Sequence, residues 1–237
     1  MIGVVVPARN EEASVAQCIA AIEVAAACPR LDGEMVRVFV SIDRCTDRTA
    51  HVAAAAGASV VRGPGGNVGL ARAAGMDAAI AAGARWLACT DADSIVPADW
   101  LSAQVRCGAD AFCGMVTVRD WGAYADAVRA VFERGHPRRI GHPHVHGANL
   151  GVSTPAYLAC GGFRAGRAHE DVALVDALVE SGARIARLPT PIVHTSARRC
   201  ARARDGFADY LLALEARLGP GAPAGEGVLT MEADYGT

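Results

Sequence analysis

The sequence predicts an α/β protein: a doubly wound, mostly parallel sheet flanked by helices. Three observations carry this. Short β-branched runs alternate with alanine-rich stretches of helical length through the first half. Turn residues, mostly glycine, separate the two kinds of segment. Polar clusters stand directly after three of the runs: Arg9-Asn10-Glu11, Asp43-Arg44 and Asp91-Ala92-Asp93. Ligands of such sheets bind beyond the carboxyl ends of the strands, so the three clusters are expected on one edge.

The elements follow in order. Ile2 to Val6 is a buried-type strand that stops at Pro7. Asn10 is expected to cap a helix reaching about Cys28, with Glu11 and Glu12 in its first turn. Pro29 to Gly33 breaks the chain, and Val36 to Ile42 is a second strand. Thr46 or Asp47 caps a helix ending at Gly57. Ser59 to Val61 is a strand, Gly63 to Gly66 a loop, and Leu70 to Ala82 a helix. Trp86 to Thr90 is the fourth strand. Beyond it, Ala111 to Val118 and Arg184 to Leu188 read as strands. Tyr124 to Arg134, Val172 to Glu180 and Phe207 to Leu218 read as helices. The Gly-, Pro- and Ala-rich stretch from Gly219 to the end is expected to be loosely held.

Composition narrows the class. The 237 residues are 52% hydrophobic and 20% charged, too apolar for a disordered chain. Lys and Arg number 23 against 25 Asp and Glu, so the formal charge of −2 attracts neither nucleic acid nor an acidic membrane surface. Eight cysteines show no C-x-x-C pair, which argues against a zinc ribbon. They read as reduced thiols. The opening MIGVVVPARNEE lacks a basic region and a cleavage site. No apolar run approaches the ~20 residues that span a bilayer. A cytoplasmic chain, peripheral to a membrane at most, is expected.

Asp91-Ala92-Asp93 is the first chemical signal. Strand alternation would point both carboxylates to one side, with Ala92 opposite. Two such acids repel each other unless a cation joins them, and Mg²⁺ or Mn²⁺ suits hard oxygen ligands. The other reading is that they solvate a turn or cap a helix near Pro97.

Four segments in order resemble family 2 glycosyltransferases, enzymes of the GT-A fold that use nucleotide-diphosphate sugars. Val4-Val5-Val6-Pro7-Ala8-Arg9-Asn10-Glu11-Glu12 is similar to the family's opening. Ser41 to Thr49 resembles its Asp-Asp-Gly-Ser-x-Asp-x-Thr, and Asn67 to Gly75 its Asn-x-Gly helix start. Thr90-Asp91-Ala92-Asp93 resembles its Asp-x-Asp metal site. Gly147-Ala148-Asn149 and His169-Glu170-Asp171 resemble acceptor-side motifs. The match spans about residues 2 to 196. Two departures stand out: Arg44-Cys45 replaces Gly-Ser, which puts the shape of that loop in question, and Ala74 stands where Asn is common.

The resemblance implies a single GT-A domain over residues 1–218, with donor half 1–110 and acceptor half 111–218, and a tail from 219. Pro7, Ala8, Arg9 and Glu11 would line the nucleoside pocket, Glu11 on the ribose. Asp43 would meet the base, Arg72 the base or diphosphate, and Asp91 with Ala92 the ribose or a metal-bound water. Asp93 would hold Mn²⁺ or Mg²⁺, with Asp91 beside it and His194 as a third ligand. Arg198 and Arg199 would grip the diphosphate. Gly147, Ala148 and Asn149 would bind the acceptor. Asp171 would be the base of an inverting displacement, assisted by Glu170. Helix-end charge complementarity also accounts for Glu11 and for Glu170-Asp171. The donor would be a UDP- or GDP-sugar, and the acceptor a small or lipid-linked hydroxyl compound. No processive extension follows, which argues against a polymerising synthase.

Other signals weigh less. Gly63 to Gly69 lacks a dinucleotide fingerprint because Val68 stands where glycine is needed. His136, His142, His144 and His146 read as an acceptor-side loop rather than a metal cluster. A nucleotidyltransferase would carry a Gly-rich basic loop after the first strand, where Pro7-Ala-Arg-Asn-Glu stands instead. A non-catalytic nucleotide-sugar-binding protein is the remaining rival.

Overall fold

The computed structural model describes residues 1–166, 168–201 and 206–219. The tail expected to be loose lies outside them, apart from Gly219. Seven strands form one mixed sheet. They are β1 (Ile2–Ala8), β2 (Val36–Ile42), β3 (Ser59–Arg62), β4 (Trp86–Cys89), β5 (Ala111–Val118), β6 (Leu150–Ser153) and β7 (Ile185–Thr195). Their order is β3-β2-β1-β4-β6-β5-β7. Only β6 runs against its neighbours, pairing antiparallel with both β4 and β5. The GT-A-type α/β sheet expected from the sequence is present.

β1 runs two residues further than its pattern suggested, through Pro7. Val5 accepts a hydrogen bond from Thr90, and Ala8 accepts one from Asp43. Alternate residues therefore face alternate neighbours. The nitrogen of Pro7, which has no hydrogen to donate, faces the β4 side, where pairing has ended at Val5.

Helices cover both faces. α1 (Val15–Ala26), α2 (Thr49–Ala55) and α4 (Trp100–Val105) are joined by α3 (Val68–Ala81), α5 (Asp126–Gly135), α6 (Thr154–Ala159), α7 (Glu170–Glu180) and α8 (Phe207–Leu218). Ile2, Val4, Val6 and Ala8 pack with Ile19 and Ile22 of α1 on one face. Val5 packs with Met76 of α3 and Leu174 of α7 on the other. α3 lies close on β1: a Cβ at Gly75 would stand 2.4 Å from Val5 Cγ1, so only glycine allows this approach.

Some boundaries differ from expectation. Asn10 does not cap α1. It sits in the left-handed region at φ 55°, and its Oδ1 accepts from the Thr46 amide at 2.8 Å. The helix begins four residues after Glu11 instead. Asp47 serves α2, accepting from the Thr49 amide at 3.0 Å. Asn67 caps α3 through the Leu70 amide. β6 and α6 have no counterpart in the sequence reading, where α4 figures only as a helix near Pro97. Among the described residues, no helix is long and apolar enough to cross a membrane. All eight cysteines are unpaired, and Cys18, Cys89, Cys113 and Cys160 are buried.

Candidate functional site

The carboxyl ends of β1, β2 and β4 open into a cleft of about 440 Å³. Its floor is Pro7, Ala8, Arg9 and Glu11 after β1, Asp43 after β2, and Asp91, Ala92 and Asp93 after β4. Arg72 of α3 enters from one side. The opposite wall is His136, His146, Gly147, Ala148, Glu170 and Asp171, with Thr195, Ser196, Arg198 and Tyr210 along the rim. The three polar clusters of the first half thus share one edge.

Asp91 and Asp93 lie on a turn rather than a continuing strand, closed by the Ser94 amide donating to the Asp91 carbonyl at 3.0 Å. Both nevertheless line the cleft, while Ala92 is buried. Arg72 donates to Asp91 Oδ1 from Nη2 and to Glu170 Oε1 from Nη1, each at 2.6 Å. Burial opposes the Arg72 charge, but Cys89, Asp91, Glu170 and Asp171 outweigh it and hold its pKa above the ordinary value. Arg72 therefore serves as a buried tie between the two walls. A Cβ on Gly147 would come within 2.3 Å of Arg72 Nη1, so glycine there makes room for the guanidinium. The Gly147 amide in turn donates to Asp171 Oδ2 at 2.7 Å, and the Val172 amide donates to Asp171 Oδ1 at 2.9 Å. These bonds fix the carboxylate at the head of α7.

Arg198 spans Glu11 and Asp93, its Nη2 lying 3.2 Å from Asp93 Oδ2. Glu11 also accepts from Ser14 Oγ at 2.9 Å. Asp43 accepts from the Gly66 amide, which holds the Gly63–Gly66 loop over the cleft. Arg44 takes the left-handed conformation at φ 48°, at the place where the resembling motif has glycine. Cys45 takes the serine's place, donating to the Ala8 carbonyl and accepting from the Asn10 amide.

Among the described residues, six carboxylates line the cleft (Glu11, Asp43, Asp91, Asp93, Glu170 and Asp171) against three guanidinium groups (Arg9, Arg72 and Arg198). The surplus shows at Asp93. Burial, opposed by Arg198 and aided by Asp91 and Glu11, pushes its carboxyl up to about 6. A buried anion with two like neighbours suits a hard divalent cation such as Mn²⁺ or Mg²⁺. The residues present fit such an ion.

Three expected site residues lie elsewhere, among the described residues. Asn149 is fully buried: its Nδ2 donates to the Met115 and Pro191 carbonyls at 2.8 and 2.9 Å, and its Oδ1 accepts from Trp100 Nε1 at 2.9 Å. It holds together an irregular stretch of the β5–β7 pairing rather than facing an acceptor. His194 is not a lining residue, although Thr195 and Ser196 are. Its backbone pairs with Ile95, and burial together with Arg119 and Arg138 lowers its ring pKa. Arg199 pairs with Glu215 of α8 and lies 4.7 Å over the Tyr124 ring, outside the cleft. The sequence reading placed His136 and His146 in a loop on the acceptor side, and both line the cleft; it assigned no cleft role to Thr195, Ser196 or Tyr210.

The comparisons with known proteins agree with this architecture. The family model described as Glycosyl transferase family 2 matches residues 3–150. No curated protein matches the chain. Among solved structures, S. aureus TarS 1-349 in complex with UDP-GlcNAc is 14% identical with a TM-score of 0.64, covering 94% of this chain and 68% of its own. The mannosyltransferase PcManGT from Pyrobaculum calidifontis, in complex with GDP-Man and Mn²⁺, is 18% identical with a TM-score of 0.63; the match covers 94% of this chain and 65% of that one. Glucosyl-3-phosphoglycerate synthase from Mycobacterium tuberculosis, with Mn²⁺, UDP and glucosyl-3-phosphoglycerate, is 20% identical with a TM-score of 0.57, covering 92% and 77%. At these identities the likeness is one of fold.

Two outcomes follow from the charge arrangement. Arg72→Met leaves Glu170 buried without its partner, so urea unfolding at neutral pH should show a loss of about 3–5 kcal/mol; a loss below about 1 kcal/mol would contradict the tie. Asp93 acts in the opposite sense. Between pH 4 and 6 the folded chain holds a proton that the unfolded chain releases, so metal-free stability falls as pH rises through that window. Asp93→Asn should therefore raise metal-free stability at pH 7.5 by about 2–3 kcal/mol, the gain fading toward pH 4. Thermal melts in chelator across pH would read it, and a destabilised variant at pH 7.5 would count against the charge surplus.

Proposed function

The chain belongs to glycosyl transferase family 2, and from that premise we propose that it moves a sugar from a nucleoside-diphosphate donor to a hydroxyl acceptor with metal assistance and inversion. One observation carries the reading: among the described residues the donor side of the cleft holds a surplus of carboxylates, yet a diphosphate must enter it. A cation would offset the repulsion between these carboxylates and a dianionic or trianionic ligand. Asp93, with Asp91 beside it, would hold Mn²⁺ or Mg²⁺. That ion would supply positive charge to the departing diphosphate. The solved relatives bound to UDP-GlcNAc or GDP-Man make a UDP- or GDP-sugar the donor class to test.

The chain's own residues supply the rest. Pro7, Ala8, Arg9 and Asp43 form the nucleoside side of the cleft. Among the described residues the Arg198 side chain is held through Glu11 and Asp93, and at 30% exposed it can turn from Asp93 to a phosphate oxygen. Asp171 is oriented by two backbone amides and faces the cleft from the acceptor wall. It takes the proton of the acceptor hydroxyl while that oxygen bonds to the anomeric carbon and the carbon–oxygen bond to the diphosphate breaks. Glu170, tied to Arg72, acts as a positioning residue rather than a base. A small or lipid-linked acceptor remains the class proposed.

Titration calorimetry with UDP and GDP, with and without Mn²⁺, tests the donor half. Binding should depend on metal and be lost in Asp93→Ala. Asp171→Asn should keep metal-dependent nucleotide binding while transfer falls by roughly 10²–10⁴-fold. Metal-independent binding in the unsubstituted chain would overturn the donor scheme. A retained anomeric configuration would remove Asp171 from its role.

A further inference from the structure

His136, His144 and His146 bring one ring nitrogen each to within 4.8 Å of one another. His136 ends α5, and the other two lie on the segment leading to Gly147. His136 and His144 are buried. Among the described residues, neither ring nitrogen of His144 has a hydrogen-bond partner, and neither does Nε2 of His146. A buried polar atom left unpaired costs about 1–3 kcal/mol, so a cluster of them requires a reason. We propose that these three imidazoles form a Zn²⁺ site on the acceptor wall, separate from the Asp91–Asp93 site.

Several observations support the assignment. His136 Nδ1 lies 2.9 Å from the Phe132 carbonyl, so Nδ1 carries the hydrogen and Nε2 keeps its lone pair. Metal-ligating histidines are commonly fixed in this way. Burial lowers the pKa of His136, and burial with the neighbouring histidines takes His144 to about 4 and His146 to about 3. The rings are therefore neutral at pH 7, the form that ligates. Imidazole suits Zn²⁺ better than Mg²⁺ or Mn²⁺, whereas the carboxylates across the cleft have the reverse preference.

The geometry defines what must move. A tetrahedral Zn²⁺ with nitrogens at 2.0–2.1 Å sets them about 3.3 Å apart, so the gap closes by up to about 1.5 Å. The three rings stack at interplanar angles of 12° to 26°, with His136 and His144 centred 4.4 Å apart. Side-chain rotation from stacked to convergent is the change required. His136 and His146 line the cleft, so the fourth position opens into it, as at zinc sites with three protein ligands. Arg139 and Arg187 near His144 favour an anionic oxygen there.

The test uses the full chain, stripped with chelator, and Zn²⁺ alone. Metal analysis after gel filtration should find one zinc per chain, retained in Asp93→Ala. It should be lost in His144→Phe, which keeps a stacking ring and removes the ligand. The affinity drop should exceed the roughly hundredfold that loss of a supporting contact costs a metal site. Co²⁺ added to the unsubstituted chain should give the intense visible bands of a tetrahedral nitrogen site, a readout that does not depend on any variant folding. No retained zinc, equal retention in His144→Phe, loss in Asp93→Ala, or only the faint bands of octahedral Co²⁺ would each overturn the proposal. None of these outcomes bears on donor binding.

Discussion

The buried guanidinium of Arg72 is the interaction on which the cleft depends. It joins Asp91, at the end of a parallel strand, to Glu170, at the head of a helix 79 residues later. Its place is reserved by Gly147, whose missing side chain admits the guanidinium. That same glycine supplies the amide that orients Asp171. One ion-pair triad therefore sets the distance between the donor floor and the acceptor wall and fixes the wall's carboxylate. Such buried triads are worth little as net stability, because desolvation offsets the attraction. Their effect here is to define one arrangement of the two halves.

With Arg72 committed to Asp91 and Glu170, its charge is spent inside the protein. Among the described residues, what remains on the donor floor is Glu11, Asp43 and Asp93 against Arg9 and the partly exposed Arg198. Burial is the main reason that Asp93 is held so far from an ordinary carboxylate, with Asp91 and Glu11 adding to it and Arg198 opposing it. The two arginines differ in setting: Arg72 is buried between Asp91 and Glu170, and Arg198 is partly exposed. A site that destabilises its own metal-free state in this way gains affinity for a cation by relieving the repulsion.

Much of this was legible in the sequence. The β-branched runs and glycine stops locate β1 to β5, and the acidic residues after them mark the cleft edge. The failures have local causes. Asn10 looks like a cap, but its side chain is taken by the Thr46 amide. β6 is four residues long and follows a motif read for function. β7 contains Pro189 and Pro191, which its position at the sheet edge tolerates, so it runs far past the apolar stretch. In the site, motif position located backbone better than it located side chains. Thr195 and Ser196 reach the cleft while His194 sits beside Arg119 and Arg138. Asn149 follows Gly147 and Ala148 but turns inward to Trp100. The segment from His136 to His146 is the loop that the sequence suggested, but sequence spacing does not reveal which of its rings stack.

The most direct test of the charge account is a crystal structure of the chain with Mn²⁺ and a nucleoside diphosphate. The account predicts the ion on Asp93, Arg198 turned from Asp93 to a phosphate oxygen, and Arg72 still bridging Asp91 and Glu170. An intact Arg198–Asp93 pair, with Arg72 swung out to the phosphates, would contradict it.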